Sequence, residues 1–225
     1  MFVFCSISWS DDLQKKQKKV LKTDKDKVSY SLGVEIGKSF KALKNDIDMD
    51  LLWQGFSDSM NDQNLLLSQE ESQTVKRDFL TRIKKERQSK MENVSGDNQK
   101  EGMTFLVENK SKKGVITTQS GLQYKIIRKG DGPKPKATDQ VKVHYRGTLI
   151  NGEEFDSSYK RGTPATFRLN AVIAGWQEGL QLMSSGSKYE FYIPSELAYG
   201  ERGAGSMIGP NSTLVFEVEL LDIVK

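Results

Sequence analysis

Apolar residues recur at Val28, Leu32, Ile36, Phe40 and Leu43, in steps of four, four, four and three. That spacing puts them on one face of an α-helix. Gly33 and Gly37 lie beside this face. Either a second helix approaches closely there, or two glycines are tolerated at about 1 kcal/mol each relative to Ala. After a polar break over Asn45 to Asp50, a second short helix is predicted, with Leu51, Leu52, Phe56 and Met60 facing inward. Asn61 to Asn64 reads as a turn. Ser68 with Glu71 three residues later forms a capping-box pattern. It opens a long helical run marked by Val75, Phe79 and Ile83. Beyond Lys84 the apolar stripe fades, and Lys84 to Lys90 reads as a solvated helix face. A helix from Ser68 to about Lys110 would span about 43 residues and roughly 65 Å. A kink or break is expected near Gly96 and Gly102. A helix with so little apolar surface does not suit a compact core and fits an arm joining two bodies.

At Gly114 the period changes from near 3.6 to two. Leu122, Tyr124 and Ile126 alternate with Gln123 and Lys125, and Val141, Val143 and Tyr145 alternate with Lys142, His144 and Arg146. Asn151-Gly152 is a hairpin-turn pair. Phe167 and Leu169 predict a short strand, and Tyr189, Phe191 and Ile193 another. Leu214, Phe216, Val218 and Leu220 predict the last. Between them, Gly175 to Met183 suits one short helix with Trp176, Leu180 and Met183 inward. The expected class is therefore α+β. An antiparallel sheet of five or six strands wraps one short helix, preceded by an all-α region and a long connecting helix. The expected segments are 1–23, 24–67, 68–113 and 114–225.

Composition sharpens this picture. With 36% hydrophobic and 28% charged residues, the chain is polar for one compact body and suits a core domain plus a solvated helical part. About 60 structured helical residues are marginal for a domain standing alone, so a homodimer through residues 24 to about 83 is expected. The net charge of +4 is spread out: from Val115 onward 13 Lys/Arg face 12 Asp/Glu. A dedicated nucleic-acid surface needs a clustered basic face, so no nucleic-acid partner is expected. One cysteine, Cys5, and one histidine, His144, exclude an intrachain disulfide and a Cys/His zinc cluster. No apolar run reaches the roughly 20 residues that cross a bilayer. Met1 to Trp9 is apolar but short and lacks a basic start. It reads either as the tail of a signal peptide beginning upstream or as an apolar leader.

The candidate chemistry lies between Tyr145 and Phe216. Tyr145, Phe155, Trp176, Tyr199 and Phe216 come from five predicted elements. Spacing alone allows a plain aromatic core. Asp156, directly after Phe155, points instead to a ligand slot, because a carboxylate at an aromatic edge can orient a ligand. Neighbours on a strand face opposite sides, so both residues reach one slot only if the backbone bulges. His144 shares its strand side with Lys142 and Arg146 and is expected to face away from the apolar side. No Gly-x-Ser-x-Gly elbow, dinucleotide fingerprint or P-loop is present, and no cofactor or metal is expected.

These residues sit in five motifs: Val143-His144-Tyr145-Arg146-Gly147, Phe155-Asp156-Ser157-Ser158, Val172-Ile173-Ala174-Gly175-Trp176, Ala198-Tyr199-Gly200 and Thr213 to Leu221. In this order they resemble the motifs of FK506-binding-protein-type peptidyl-prolyl cis-trans isomerases, across residues 115–225. The N-terminal half resembles the dimerisation region of the bacterial macrophage infectivity potentiator group. There Asp24 to Gly33, Phe105 to Lys110 and Ser120 to Lys125 carry the likeness.

The resemblance implies an isomerase of X-Pro bonds that assists folding of exported proteins, with an association with virulence. It implies a proline slot floored by Trp176, with walls from Tyr145, Phe155, Val172, Ile173 and Phe216. The Tyr199 hydroxyl would bond a substrate carbonyl, and the Val172-Ile173 backbone would hold the peptide. Asp156 would sit near the twisting carbonyl and orient the pocket through Tyr145. Ile208 matches a loop residue that touches the ligand. Implied partners are proline-containing clients, a second copy of the chain, and macrolide inhibitors of the tacrolimus or rapamycin type. The implied location is the periplasm or outer membrane surface of a Gram-negative bacterium. Two positions depart from many eukaryotic members: Ala165 replaces an aromatic residue, and no histidine lies between Gly203 and Met207. Both are expected to open the pocket mouth.

Overall fold

A computed structural model describes residues 20–224. Most of the leader, Cys5 included, lies outside the described residues. The chain divides into two units, one ending at Phe79 and one beginning at Leu80.

The first unit contains α1 (Asp24–Phe40) and α2 (Met49–Met60). Thr23 caps α1 reciprocally with Asp26: the Asp26 N–H donates to Thr23 Oγ1 at 3.1 Å, and the Thr23 N–H donates to Asp26 Oδ2 at 2.9 Å. Asp24 and Asp26 also place negative charge at the positive helix start. The helix therefore begins four residues before Val28, the first position of the apolar period. Asp48 caps α2 by accepting from the Asp50 and Leu51 N–H groups. Neither helix buries a residue. Leu51, Phe56 and Met60 are exposed rather than inward, Met60 by 70%. The predicted apolar face exists, but two short helices are too small to enclose it.

The helix α3 runs from Gln69 to Asn109 without interruption. Its start is the expected capping box: the Glu71 N–H donates to Ser68 Oγ at 3.2 Å, and the Ser68 N–H donates to Glu71 Oε2 at 2.9 Å. No break occurs at Gly96 or Gly102. One glycine costs about 1 kcal/mol in a helix, too little to end so long a run. Gly102 is instead buried against β-domain structure, with the Thr213 side chain in the space a Cβ would take.

In the second unit the strands are β1 (Val115–Thr117), β2 (Gln123–Arg128), β3 (Gln140–Leu149), β4 (Glu154–Ser157), β5 (Ala165–Arg168), β6 (Lys188–Ile193) and β7 (Leu214–Val224). They pair antiparallel in the order β1-β2-β6-β7-β3-β4, with β5 also on β3. The seventh strand is the three-residue β1, too short to show an alternation. Leu169 enters a 3-10 turn after β5 rather than extending it. Leu214, Phe216, Val218 and Leu220 alternate into the core, as expected. One helix, α4 (Ala174–Leu182), packs on the sheet. Gly179 permits its close approach, since a Cβ there would lie 2.6 Å from Phe191 Cε1.

The last turns of α3 dock on this sheet. Asn109 is fully buried and donates to Gln123 Oε1 at 2.9 Å, while Gln123 Nε2 donates to the Leu106 carbonyl at 2.8 Å. Phe105 packs on Tyr192 with ring centres 6.0 Å apart.

Candidate active site

Trp176 lies in the first turn of α4 and is almost fully buried. Three rings meet it nearly edge-on: Tyr145 at 5.2 Å, Phe167 at 5.6 Å and Phe216 at 5.2 Å between centres. Edge-on packing sets positive ring edges against negative faces. Phe155 meets Phe216 the same way at 5.4 Å. Gly147 allows that pair to close, since a Cβ there would lie 2.6 Å from Phe155 Cε2 and 2.7 Å from Phe216 Cε1.

These rings line a cleft of about 620 Å³. All nine residues expected at the site line it: Tyr145, Phe155, Asp156, Val172, Ile173, Trp176, Tyr199, Ile208 and Phe216. Phe155 and Asp156 reach it together because the β3–β4 register slips between them. Gly147 pairs with Asp156 and Thr148 with Glu154, leaving Phe155 without a partner. Such a bulge re-aims consecutive side chains. Tyr199 is 41% exposed, whereas Ile208 is buried.

Asp156 is held on two sides. The Tyr145 hydroxyl and an Arg161 N–H both donate to it. Arg161 Nη2 also donates to the Tyr145 hydroxyl oxygen at 2.8 Å, and its guanidinium lies 5.5 Å from the Tyr145 ring centre. Burial opposes the charge on Asp156, but the hydrogen bonds from Tyr145 and Arg161 outweigh it and hold the carboxyl below its usual value. Burial, then the bond to Asp156, raises the Tyr145 hydroxyl above its usual value. Asp156 is therefore a fixed anion and Tyr145 a neutral donor. The returning chain is pinned beside them, because the Tyr145 N–H donates to Ser158 Oγ at 2.7 Å.

Phe167, Ala171, Met207 and Arg161 were not expected. The first three line the cleft. Phe167 was assigned only to a strand. Arg161 lies five residues from Asp156 across a turn, a spacing with no signature. Ala165 is partly buried against the core opposite Val143, and its short side chain is not among the cleft-lining residues. His144 lies outside the cleft lining. Its Nδ1 is 3.0 Å from Ser158 Oγ, and its ring stacks on Tyr159 at 4.6 Å.

Residues 132–221 match the family model for the FKBP-type peptidyl-prolyl cis-trans isomerase, and residues 25–126 match that for the domain amino terminal to it. The chain is 46% identical over 205 residues to the outer membrane protein MIP of Legionella longbeachae, covering 91% of this chain and 88% of the relative. The chain belongs to the FKBP-type peptidyl-prolyl cis-trans isomerase family. It is also 44% identical over 211 residues to the FKBP-type isomerase FkpA of Aeromonas hydrophila, covering 91% of this chain and 78% of that one. The crystal structure of FkpA from Escherichia coli superposes with a TM-score of 0.68 at 42% identity, over 91% of this chain and 98% of that one. An FKBP-type site at this cleft fits its chemistry: apolar walls, one anchored carboxylate and a partly exposed phenol.

Proposed function

We propose that this chain isomerises X-Pro bonds in client proteins, with the proline ring in the cleft over Trp176. The observation that carries this reading is the convergence of five aromatic or aliphatic walls around one anchored anion. The amide barrier, about 18–20 kcal/mol, comes from resonance that keeps the bond planar. Twisting removes that resonance and leaves a less dipolar carbonyl. An apolar cleft disfavours the planar state relative to the twisted one. A millionfold gain needs roughly 8 kcal/mol of such differential stabilisation, and no proton transfer enters. Tyr145, Phe155, Val172, Ile173 and Phe216 form the walls, Ile208 covers one side, and Tyr199 donates to a substrate carbonyl. Asp156 sits near the twisting carbonyl.

The active species is a homodimer paired through the first unit. The exposed apolar face of α1 and α2 supports this. Two sites on one dimer engage one client, so avidity adds to weak single contacts. The chain works in the Gram-negative envelope on exported clients. The family relationship and the name of the Legionella relative support that location. Among the described residues, no helix is long and apolar enough to cross a membrane.

A proline-peptide assay on wild type, Asp156→Ala and Tyr199→Phe tests the reading. Wild type accelerates isomerisation and both variants are slower; an inactive wild type overturns it. A second reading is a dimeric holdase chaperone with isomerisation secondary, supported by the apolar residues Leu65, Leu66 and Leu67, which are exposed outside α1 and α2. In that case the two variants protect an aggregating client as well as wild type does. Quenching of Trp176 fluorescence by a tacrolimus-type macrolide tests occupancy of the cleft.

A further inference from the structure

The cleft has one side built from a loop, and that loop does not stand by itself. Ala204, Gly205, Ser206, Met207 and Ile208 all line the cleft. Within the loop, the Ala204 N–H donates to the Ile208 carbonyl at 2.8 Å and the Ile208 N–H donates back at 3.1 Å. The chain then runs through Gly209 to Ser212, and this stretch is bonded to α3. Asn98 Nδ2 donates to the Pro210 carbonyl at 2.7 Å and lies 3.3 Å from Ser212 Oγ. Asn211 Nδ2 donates to Ser95 Oγ at 2.8 Å. Asn211 itself adopts φ +54°, a left-handed conformation uncommon outside glycine. Its N–H donates to the Gly200 carbonyl at 2.8 Å, one residue after Tyr199. One turn further along α3, Gly102 receives the Thr213 side chain. Both ends of the loop therefore close on Asn211, which α3 holds.

We infer that Asn98, with Ser95, is a positioning residue for the isomerase cleft: from α3 it fixes the 204–208 loop and, through Asn211, the base of Tyr199. Neither residue touches the cleft, and both lie outside the 132–221 stretch that matches the isomerase model. A side-chain amide suits this role because one NH2 group reaches a carbonyl and a hydroxyl together. Removing it leaves the part-buried Pro210 carbonyl without that donor, which frees the loop rather than the sheet. The inference rests on the isomerase reading for its kinetic consequence but not for its structural one.

The test uses the full chain carrying Asn98→Ala, Ser95→Ala or, as a control on the same helix, Thr104→Ala. The Thr104 hydroxyl bonds only within α3, to the Lys100 carbonyl. Hydrogen exchange is read at the Ala204 and Ile208 amides and at β7, alongside kcat and KM for a proline peptide. In Asn98→Ala, exchange at Ala204 and Ile208 speeds at least tenfold while β7 is unchanged. KM rises about three- to tenfold with kcat within twofold, Ser95→Ala shows a smaller change in the same direction, and Thr104→Ala matches wild type. Unchanged loop exchange in Asn98→Ala overturns the inference. So does faster loop exchange with kinetic constants within twofold of an active wild type. If Asn98→Ala fails to fold, Ser95→Ala decides by the same two readouts. An inactive wild type with the expected exchange pattern overturns the isomerase reading and leaves the α3–loop coupling standing.

Discussion

Tyr145 donates its hydroxyl hydrogen to Asp156, across the slipped β3–β4 register that also carries Phe155 into the cleft. Arg161 bonds both partners. Replacing Tyr145 with Phe keeps the ring against Trp176 but removes the donor. Charge-assisted hydrogen bonds contribute about 1.5–3 kcal/mol, and partial exposure reduces that here. Tyr145→Phe should lower kcat/KM by about tenfold with little change in fold. Asp156→Ala should lower it further, because it also releases Arg161. A proline-peptide assay with circular dichroism on each variant checks both outcomes.

The ionisations at the cleft move apart. Asp156 lies below its usual value and Tyr145 above its own. With the folded value of Asp156 depressed, its contribution to stability is present above the unfolded carboxyl value, near 3.9. That contribution is lost as pH falls through the lower folded value. The Tyr145 hydroxyl, raised in the folded state, stays neutral throughout the range in which an ordinary tyrosine does. Asp156 and Tyr145 should therefore impose no limb on kcat/KM between about pH 5 and 9. A limb in that range that disappears in Asp156→Asn would contradict the assignment.

Much of this site was legible in the sequence. Alternation on β3 and β7 places Tyr145 and Phe216 on the core side, and the short helix brings Trp176 inward. What alternation conceals is the bulge. A strict period of two separates Phe155 from Asp156, and only the register of β3 against β4 shows both facing the cleft. Arg161 was hidden for a related reason: its partners are set by how a turn folds back, not by a periodic spacing. The helices α1 and α2 show the opposite limit. Their period marks the apolar face correctly but does not say what covers it. Gly96 and Gly102 likewise look alike in sequence, although one is open to solvent and the other is packed against Thr213.

That difference gives opposite expected effects of one substitution. A Cβ at Gly96 meets nothing within 4 Å, so Gly96→Ala should stabilise the chain by up to about 1 kcal/mol. At Gly102 a Cβ collides with the side chain of Thr213, which is 5% exposed. Overpacking of this kind costs about 1–3 kcal/mol, which offsets or exceeds the helix-propensity gain. Gly102→Ala should therefore be less stable than Gly96→Ala by about that amount. Urea denaturation followed by far-ultraviolet circular dichroism measures the gap, and equal stabilities would show that Thr213 yields freely.

The uncovered face of the first unit makes the most direct statement about assembly. Val28, Leu32 and Ile36 lie along α1 at helical spacing and are 58%, 60% and 36% exposed. On α2, Trp53 and Phe56 pair edge-on at 6.1 Å and are also exposed. Burying such side chains gains about 1.5–3 kcal/mol each, so several of them together favour pairing of two copies even after the cost of association. A carboxylate in that interface would be desolvated without a partner. Leu32→Glu should therefore shift the chain from dimer to monomer in analytical ultracentrifugation. Activity on a short proline peptide should stay within about twofold of wild type, because every cleft-lining residue lies in the second unit. Activity on an unfolded protein client should fall more, because avidity is lost. A wild-type chain that sediments as a monomer at micromolar concentration would remove the dimer from this account.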